Sequence, residues 1–295
     1  QISTISVSFG DISTENNFGE ILPASISGTV YNDCSNDGQK DSGELGIAGV
    51  IINLIGNTSP AFNSQAVALS TTTDANGNYK FQDLLPGTYT VTETQPNGYF
   101  DGLETAGTVG GSTAVNDTIS AITLQQGTNT TLYNFGELAP ASISGYVYND
   151  CDNNTNKGSG EPGIKDVPIA LTGKNDLGQD ISRTTTTDAN GYYSFDGLRP
   201  GNYSVSEIQP ANYLDGKDSS PFPMAVVGAD VISNIKLCGG TQSTDNNFGE
   251  VRPASIRGTV YHDRSNDGNL DAGESGISAV ILILTGIDKI GRAHV

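Results

Sequence analysis

The sequence predicts an all-β fold in which two-sheet sandwich domains follow one another along the chain. Three observations predict it: a long unit recurs, apolar residues alternate within it, and turn residues separate the alternating segments. Alternation places successive side chains on opposite faces of a strand, whereas a helix repeats every ~3.6 residues. About seven short strands in a unit of roughly 115 residues are typical of a two-sheet sandwich.

The repeat unit opens three times with nearly the same residues. An Ala-Ser-Ile start occurs at positions 24, 141 and 254, and each start follows an Asn-Phe-Gly-Glu segment. The unit has the size of an independent domain, so we expect separate beads in series rather than a solenoid. The predicted segments are the C-terminal strands of a preceding repeat (1–20), complete repeats at 21–138 and 139–251, and the truncated N-terminal part of a further repeat (252–295).

Seven strands are predicted in the first complete repeat. The clearest alternation places Tyr79 and Phe81 on one face of a strand, and Tyr89 and Val91 on one face of the next. A turn signal, Asp74–Gly77, precedes them. The second repeat has the same pattern at the matching positions. The predicted strands are residues 25–31, 49–55, 67–73, 78–82, 88–94, 118–124 and 130–136.

The composition argues against several classes of partner. Asp and Glu total 33 and Lys and Arg total 14, so the formal net charge is −19. This charge disfavours nucleic acid and anionic membrane surfaces, which attract basic proteins. The longest apolar runs, such as Val50–Ile55, are far shorter than the ~20 residues that span a bilayer. Three cysteines are too few for a disulfide scaffold, and the sequence leaves open whether Cys151 and Cys238 are bonded.

A twelve-residue acidic loop follows the first predicted strand of each repeat. In the first loop, side chains with oxygen atoms occupy places 1, 3, 5, 9 and 12, and glycine occupies place 6. This is the spacing of an EF-hand calcium loop. Calcium takes about six to eight oxygen ligands, and alternate residues of a tightly curled loop point inward. The predicted ligands are Asp33, Ser35, Asp37, Gln39 through its carbonyl, Asp41 and Glu44.

The other two loops follow the same spacing to different degrees. The third loop keeps it with Asp263, Ser265, Asp267, Asn269, Asp271 and Glu274. The second loop has Thr155 at place 6 and Gly158 at place 9, so we expect a weaker site there. Its predicted ligands are Asp150, Asp152, Asn154, Asn156 and Glu161.

Strand-like sequence flanks each loop, so we expect calcium loops on a β scaffold. The alternative is a solvated acidic turn, but its carboxylates would then repel one another without a cation. Further acids recur outside the loops, and they form either a second cation site or solubilising turns; we favour turns. These acids are Asp101, Glu104 and Asp117, matched by Asp215, Asp218 and Asp230.

Three motifs occur in the same order in each complete repeat. The loop is followed by a TDANGxYxF…PGxYxVxE motif at Thr73–Glu93 and Thr187–Glu207, and then by QPxxYxDG at Gln95–Gly102 and Gln209–Gly216. Together they resemble the SdrD B-like domain of serine-aspartate-repeat adhesins, which is related to the B-type domain of the collagen adhesin (Cna-B). The resemblance implies a Greek-key, immunoglobulin-like sandwich that binds calcium and stands in tandem as a stalk.

The resemblance also bears on covalent crosslinking. Related Cna-B domains often contain a Lys–Asn isopeptide bond that a Glu promotes. Glu93 and Glu207 match the position of that Glu, and Asn134 and Asn247 can match the Asn. No lysine lies in residues 25–31 or 142–148, so we expect no isopeptide crosslink, with calcium as the staple instead.

The sequence therefore predicts a calcium-rigidified spacer of a secreted or cell-surface adhesin-like protein. Its expected partners are neighbouring repeats in the same chain, with any host or matrix ligand bound by a head domain outside this sequence. No nucleic acid and no direct membrane insertion are expected. No enzyme is expected either, because His262 and His294 have no counterpart in the complete repeats.

A carbohydrate-binding module is the alternative function. Sandwich folds host many functions, so the fold does not decide between the two. Sugar sites usually have flat exposed aromatic rings, and this chain has no Trp. Tyr99 and Tyr213 lie beside turns. If such tyrosines are exposed and coplanar they favour sugar binding, whereas burial favours the spacer.

Overall fold

The computed structural model of the chain describes residues 5–287 and 293–294. Within them the fold is nearly all β: the helical content is one 3-10 turn, Pro60–Phe62, with no α-helix in the described ranges. No helix among these residues is long and apolar enough to cross a membrane. The chain divides into two compact units, Gln1–Ala139 and Pro140–Val295.

The first unit contains two five-stranded sheets. Its strands are β1 (Ala24–Asn32), β2 (Ile51–Thr58), β3 (Ala66–Thr72), β4 (Asn78–Leu84), β5 (Gly87–Glu93), β6 (Phe100–Thr105), β7 (Ser112–Val115), β8 (Thr118–Leu124), β9 (Asn129–Thr130) and β10 (Asn134–Leu138). One sheet has the order β4-β1-β10-β6, with β9 also paired to β1, and the other has the order β3-β2-β5-β8-β7. β1 lies antiparallel to β4 and parallel to β10, so the last strand of the repeat pairs with its first.

Side chains from both sheets form a single apolar core. Ile26 and Phe135 come from the first sheet, Ile52 and Val91 come from the second, and all four are at most 1% exposed. The buried positions of β5 alternate strictly along the strand. The alternation seen in the sequence thus marks the core face, as predicted. The unit is a two-sheet sandwich.

The second unit repeats this architecture. Its strands are β11 (Ala141–Asn149), β12 (Pro168–Asn175), β13 (Asp180–Thr186), β14 (Tyr192–Leu198), β15 (Gly201–Glu207), β16 (Leu214–Asp215), β17 (Val226–Gly228), β18 (Val231–Leu237), β19 (Gln242–Ser243) and β20 (Phe248–Val251). The sheet orders are β14-β11-β20-β16, with β19 paired to β11, and β13-β12-β15-β18-β17. Val147 pairs with Phe248, just as Val30 pairs with Phe135 in the first unit.

The turn before β4 forms because its residues satisfy their own backbone. The Asp74 carboxylate accepts the backbone N–H groups of Asn76 and Asn78, both at 2.8 Å. These hydrogen bonds hold the pKa of Asp74 below its ordinary value. Gly77 has φ +77°, a left-handed conformation that suits glycine. The predicted turn is therefore confirmed.

Two strands of the first unit were not expected from the sequence. β6 and β7 lie in a segment that reads as turns, because the burial of β6 does not alternate. β6 is held by its backbone pairing with β10, in which Asp101 lies opposite Glu137. A pairing made by the backbone leaves no apolar period in the sequence, so periodicity missed this strand.

Residues outside the two sandwiches form little regular structure. Residues 5–23 contain no strand. After β20, residues 252–285 form one bridge, between Tyr261 and Gly276. Ile281, Leu282 and Ile283 are largely exposed. The short strands β21 (Gly286–Ile287) and β22 (Ala293–His294) follow. The assignment of 1–20 and 252–295 to further repeats stays a prediction.

Candidate metal centres

The first acidic loop connects β1 to β2 and curls around the carboxylate of Asp33. This side chain is buried. Its two oxygens accept the backbone N–H groups of Asp37 (3.3 Å) and Gly38 (2.8 Å). Gly38 has φ +75°, and Asp37 in turn accepts the N–H of Gln39 (2.9 Å). The loop is therefore wound tightly around its first acid.

Glu44 closes this loop from its other end. Its Oε1 accepts the N–H of Cys34 (2.7 Å) and its Oε2 accepts the N–H of Asp41 (2.8 Å). The acids at places 1 and 12 therefore both bond to the backbone of the loop. The remaining predicted ligands lie on its exposed part: Ser35, Asp37, Gln39 and Asp41.

The second loop forms the same hydrogen bonds despite its sequence differences. Asp150 accepts the N–H groups of Asn154 (3.1 Å) and Thr155 (2.9 Å). Glu161 accepts the N–H groups of the residues at places 2 and 9, at 2.9 and 2.8 Å. Thr155 has φ +75°, which reproduces the conformation of the glycine in the first loop. The backbone geometry of the loop therefore does not require the glycine.

Three acids of the second loop are close enough to share one ion. One carboxylate oxygen from each of Asp150, Asp152 and Glu161 lies within 4.8 Å of the others. Two oxygens at about 2.4 Å on opposite sides of a calcium ion have this separation. Asn154 lies beside them: it donates to Asp152 (2.7 Å) and accepts the N–H of Asn156 (2.7 Å). This all-oxygen donor set fits calcium.

The third loop has this geometry outside any sandwich. Asp263 accepts the N–H groups of Asp267 (3.3 Å) and Gly268 (2.8 Å) and the hydroxyl of Ser265 (3.3 Å). Glu274 accepts the N–H groups at places 2 and 9, at 2.7 and 3.0 Å. These backbone hydrogen bonds lower the pKa values of both acids. At place 7, the Asn269 N–H donates to Asp267 (2.8 Å). The loop conformation is thus encoded locally, in its own twelve residues.

Each complete loop is attached to the last strand of its repeat. The N–H of Asp33 donates to the carbonyl of Glu137 in β10 (2.7 Å), and that of Asp150 donates to Glu250 in β20 (2.7 Å). The first loop is also bonded to β6, because the hydroxyl of Thr105 donates to the carbonyl of Gly38. A change in the loop therefore acts directly on the pairing of first and last strands.

A second group of acids lies between the two sheets of each unit. Oxygens of Glu93, Asp117 and Glu137 lie within 4.8 Å of one another, and the same holds for Glu207, Asp230 and Glu250. Both oxygens of Glu93 are buried and have no hydrogen-bond partner among the described residues. Periodicity and spacing did not single out Glu93 and Glu137 as a pair, because they are 44 positions apart.

The environment of this second group shifts its titration. Burial, and then the adjacent Glu137, raises the pKa of Glu93. Burial also raises the pKa values of Glu137 and Asp117, and in the second unit burial raises the pKa of Asp218 to about 7. Asp117 and Asp218 are half-buried, and Asp117 lies in the turn before β8, so the interpretation of these acids as turn residues stays a prediction.

The residues matched to a covalent crosslink have other contacts here. Asn134 accepts the N–H of Thr29 (3.0 Å) through its side-chain oxygen, and Asn247 accepts the N–H of Tyr146 (2.9 Å). The Sγ of Cys151 is reduced and contacts Asn149. A Cys151–Cys238 bridge, which the sequence left open, is therefore not formed.

The aromatic ring pairs among the described residues are tilted or edge-to-face, with interplanar angles of 34° to 66°. Tyr79 and Tyr89 are core residues, as expected, at 4% and 1% exposure. Tyr213 packs against the core of the second unit, and its hydroxyl accepts a hydrogen bond from Arg252 (3.0 Å). Tyr192 is exposed, and its ring is tilted 59° to that of Tyr146. This geometry favours the spacer over sugar binding.

The comparisons with known proteins agree on one family. The family model described as SdrD B-like domain matches residues 24–137 and 141–222. Among curated relatives, serine-aspartate repeat-containing protein F of Staphylococcus epidermidis is 30% identical over 288 residues. Serine-aspartate repeat-containing protein D of Staphylococcus aureus (strain Newman) is 30% identical over 279 residues. Colossin-A of Dictyostelium discoideum is 29% identical over 282 residues.

These alignments cover most of this chain but little of the relatives. They span 91%, 86% and 94% of the chain, and 16%, 19% and 2% of the respective relatives. The chain therefore corresponds to less than a fifth of the length of each of these proteins. Two of the three names describe serine-aspartate repeat-containing proteins.

Solved structures with overall similarity include two pilins. The minor pilin GBS52 of Streptococcus agalactiae is 14% identical, with a TM-score of 0.28 over 80% of this chain and 99% of that chain. The shaft pilin SpaA of Lactobacillus rhamnosus GG is 11% identical, with a TM-score of 0.29 over 81% and 100%. Similarity at this level supports no inference about function.

Proposed function

The chain belongs to the SdrD B-like domain family, and on this premise we propose that it is a calcium-stiffened spacer of a longer, adhesin-like protein that is secreted or displayed on a cell surface. Its repeats stand in series, and the partners of each repeat are its neighbours in the same chain. Any host or matrix ligand is bound by a head domain elsewhere in the protein. The repeats themselves have a mechanical role and no catalytic one.

One observation supports this function above the others: the acidic loop joins the first strand of a repeat to its last. The first acid follows β1 directly, and its N–H donates to Glu137 in β10. β1 and β10 are parallel neighbours in the same sheet. Force applied along the chain reaches a repeat through these two strands, so a rigid loop between them resists their separation.

In this proposal, the loop is kept rigid by carboxylate and other oxygen ligands of a calcium ion. The proposed ligands of the first loop are Asp33, Ser35, Asp37, Gln39, Asp41 and Glu44. Those of the second loop are Asp150, Asp152, Asn154, Asn156 and Glu161. A bound calcium ion supplies the positive charge that keeps these carboxylates together. An ion that binds the loop more tightly in the folded repeat, where Asp33 is attached to β10, than in the unfolded chain stabilises the folded repeat by linkage.

The junction between the complete repeats is short. The N–H of Ala139 donates to the Asn32 side chain (2.7 Å), which fixes the end of the first unit. The next residue is Pro140, whose φ is restricted by its ring. Together these features support the proposal that bending between neighbouring repeats is limited.

Thermal unfolding of the whole chain tests the proposal. We expect millimolar calcium to raise the melting temperature relative to excess chelator, and Asp33→Asn with Glu44→Gln to remove the increase for the first unit. The matched control is Asp83→Asn with Asp196→Asn, two exposed acids outside the loops. An equal calcium response in both variants would contradict a structural role for the first loop.

Solution scattering tests the mechanical part of the proposal. We expect the longest dimension of the chain to be greater and better defined in calcium than in chelator, because stiff repeats cannot fold back on one another. The same dimension in both conditions would leave calcium binding intact but would reject rigidification as its function.

A further inference from the structure

One sheet edge of the first unit lacks the features that usually keep edges apart. β3 is the outermost strand of its sheet, with β2 on one side and no strand on the other among the described residues. Every residue of β3 is exposed or half-buried. It pairs with β2 along its whole length, Ala66–Thr72, without a bulge. A long, flat edge of this kind is open to pairing with a further strand.

The other long edges of the four five-stranded sheets contain charged side chains. These are Lys80 and Asp83 in β4, Asp101 and Glu104 in β6, Asp180 and Arg183 in β13, and Asp196 in β14. The remaining edges, β7, β16 and β17, have four, two and three residues. Charged side chains and short strands both prevent edge-to-edge association. β3, with the sequence Ala-Val-Ala-Leu-Ser-Thr-Thr, has neither protection.

The second unit shows which residue protects the corresponding edge. Leu69 in β3 and Arg183 in β13 occupy matching positions, each opposite a buried leucine. The guanidinium of Arg183 donates to the carbonyls of Asp196 (2.8 Å) and Gly197 (3.4 Å), whereas Leu69 is 44% exposed. A strand that approaches β13 therefore meets a positive charge held in place, and a strand that approaches β3 meets an apolar side chain.

The pairing of β3 with β2 defines which backbone groups of β3 face outward. Backbone hydrogen bonds join Thr73 to Val50 at one end of the pair (3.0 Å) and Gln65 to β2 at the other (2.9 Å). Hydrogen-bonded and non-hydrogen-bonded positions alternate along an antiparallel pair. The odd-numbered residues of β3 therefore bond to β2, and the even-numbered residues direct their N–H and C=O groups outward. The outward-facing residues are Ala66, Ala68, Ser70 and Thr72.

We propose that β3 is a docking edge for a second copy of this chain, which adds its own β3 in the antiparallel direction. The strand is complementary to itself. With the two-fold axis beside Leu69, Ala68 of one copy lies opposite Ser70 of the other, and Ala66 lies opposite Thr72. Each outward-facing N–H and C=O group then has a partner, and the two sheets become one continuous sheet.

Charge favours a second copy as the occupant of this edge. The chain has a net charge of −19, so two copies repel each other where their acids meet. β3 is a long edge at which both partners are free of charged residues. Ile51 and Ile55 of β2, at 46% and 54% exposure, lie beside it and add apolar surface next to the contact. The contact uses the same strand of both copies, so it closes as a dimer.

The contact is expected to be weak in dilute solution, because one strand pair buries little surface. It becomes significant where copies are held side by side, since tethering gives an effective concentration on the order of millimolar. Lateral association of this kind goes beyond the spacer role, and the pairing itself does not depend on calcium binding by the loops.

Sedimentation equilibrium of the whole chain in millimolar calcium tests the pairing. We expect the average mass to rise from one chain toward two as the protein concentration approaches about millimolar. Added sodium chloride should strengthen the association, because screening weakens the repulsion between copies.

The variant Leu69→Arg gives β3 the residue that β13 has at the same position. It should fold, because Arg183 is accommodated in the folded second unit, and it should weaken association at least about tenfold by placing like charges together. The matched control is Leu177→Arg, which adds the same charge at an exposed leucine outside the edge strands and should associate like the unmodified chain.

A second pair of variants covers the case in which Leu69→Arg does not fold. Ala68→Lys with Ser70→Lys places lysines directly opposite each other across the proposed contact, which is destabilising, and should also abolish association. Its control is Ser182→Lys with Thr184→Lys, at the matching exposed positions of β13, which should leave association unchanged.

Two results would overturn the proposal. One is a mass of a single chain at every concentration. The other is equal association of each β3 variant and its control, which would place the contact elsewhere on the chain. Neither result bears on the melting response to calcium, so this proposal and the function proposed for the loops fail separately.

Discussion

Glu93 and Glu137 place two carboxyl groups together in a region with little water. Without a cation, one of them must carry a proton, because two ionised carboxylates at this distance repel strongly in a low dielectric. Burial raises both pKa values, and that of Asp218 in the second unit rises to about 7. The ionisation of these side chains is therefore coupled to folding.

The sign of this coupling predicts how stability depends on pH. An acid whose pKa is higher in the folded than in the unfolded state stabilises the fold fully below its unfolded pKa, here 4.5 for Glu, and loses that contribution as the pH rises through the folded value. In chelator we expect the melting temperature to fall from about pH 5 through about pH 7, the folded pKa of Glu137 and Asp218, and on toward about pH 11, that of Glu93. Acids with lowered pKa values, such as Asp74, titrate below this window.

The variant Glu93→Gln with Glu207→Gln provides the control for that pH series. Gln cannot ionise, so the slope of melting temperature against pH should become shallower. Circular dichroism melts in chelator across the series measure both slopes. A melting temperature that rises with pH in the unmodified chain would refute the claim that folding raises the pKa values of these carboxyl groups.

Thr155 allows a second prediction for a single residue. It has φ +75°, as does Gly38 at the same place of the first loop. A β-branched residue in this conformation destabilises the fold by about 1 to 2 kcal/mol. Glycine relieves this strain, but it destabilises the fold by about 0.5 to 1 kcal/mol because it loses more conformational entropy on folding. We expect Thr155→Gly to stabilise the second unit by about 0.5 to 1 kcal/mol in urea unfolding. Lower stability would show that Thr155 is not strained.

Among the structural elements, strands with alternating burial were predictable and β6 was not. Tyr79 and Tyr89 revealed their strands because they are buried and their neighbours are exposed or half-buried. β6 is defined by backbone pairing, for which the side chains carry no signal. The loops were predictable for a related reason: twelve consecutive residues contain the whole hydrogen-bond pattern. The group of Glu93, Asp117 and Glu137 depends on which strands become neighbours, and no local spacing encodes that.

The close contact at Gly28 predicts how firmly β1 is held in its sheet. A Cβ added to Gly28 would lie 1.7 Å from the carbonyl oxygen of Tyr133, which also accepts the hydroxyl of Tyr79 (2.6 Å). Gly28→Ala must therefore displace the backbone before β10, and we expect a loss of about 3 kcal/mol or more in the free energy of unfolding.

The matched control for this substitution is Gly19→Ala. Gly19 has no atom within 4 Å of an added Cβ, so its substitution should leave the stability unchanged. Urea unfolding of both variants measures the difference. Equal stabilities for the two variants would mean that β1 can move away from the Tyr133 carbonyl without cost.

For the whole molecule, the net charge of −19 means that calcium can act in two ways: it can screen the exposed acids in general, or it can bind at specific sites. A chain of this charge gains stability from any added salt, because screening weakens repulsion among its exposed acids. The proposed loop sites differ from this general effect in one respect. Asp33, the first acid of the first loop, is buried, and mobile ions screen buried charges poorly.

This difference gives the last prediction. In chelator, molar sodium chloride should raise the melting temperature only in part, whereas millimolar calcium at low ionic strength should produce the full increase. Calcium added on top of the sodium chloride should raise it further, because coordination by buried carboxylates is not a screening effect. Calorimetric scans of the whole chain in the four buffers separate the two contributions. If sodium chloride alone reproduced the calcium effect, the acids would act only through net charge, and the loops would not be ion sites.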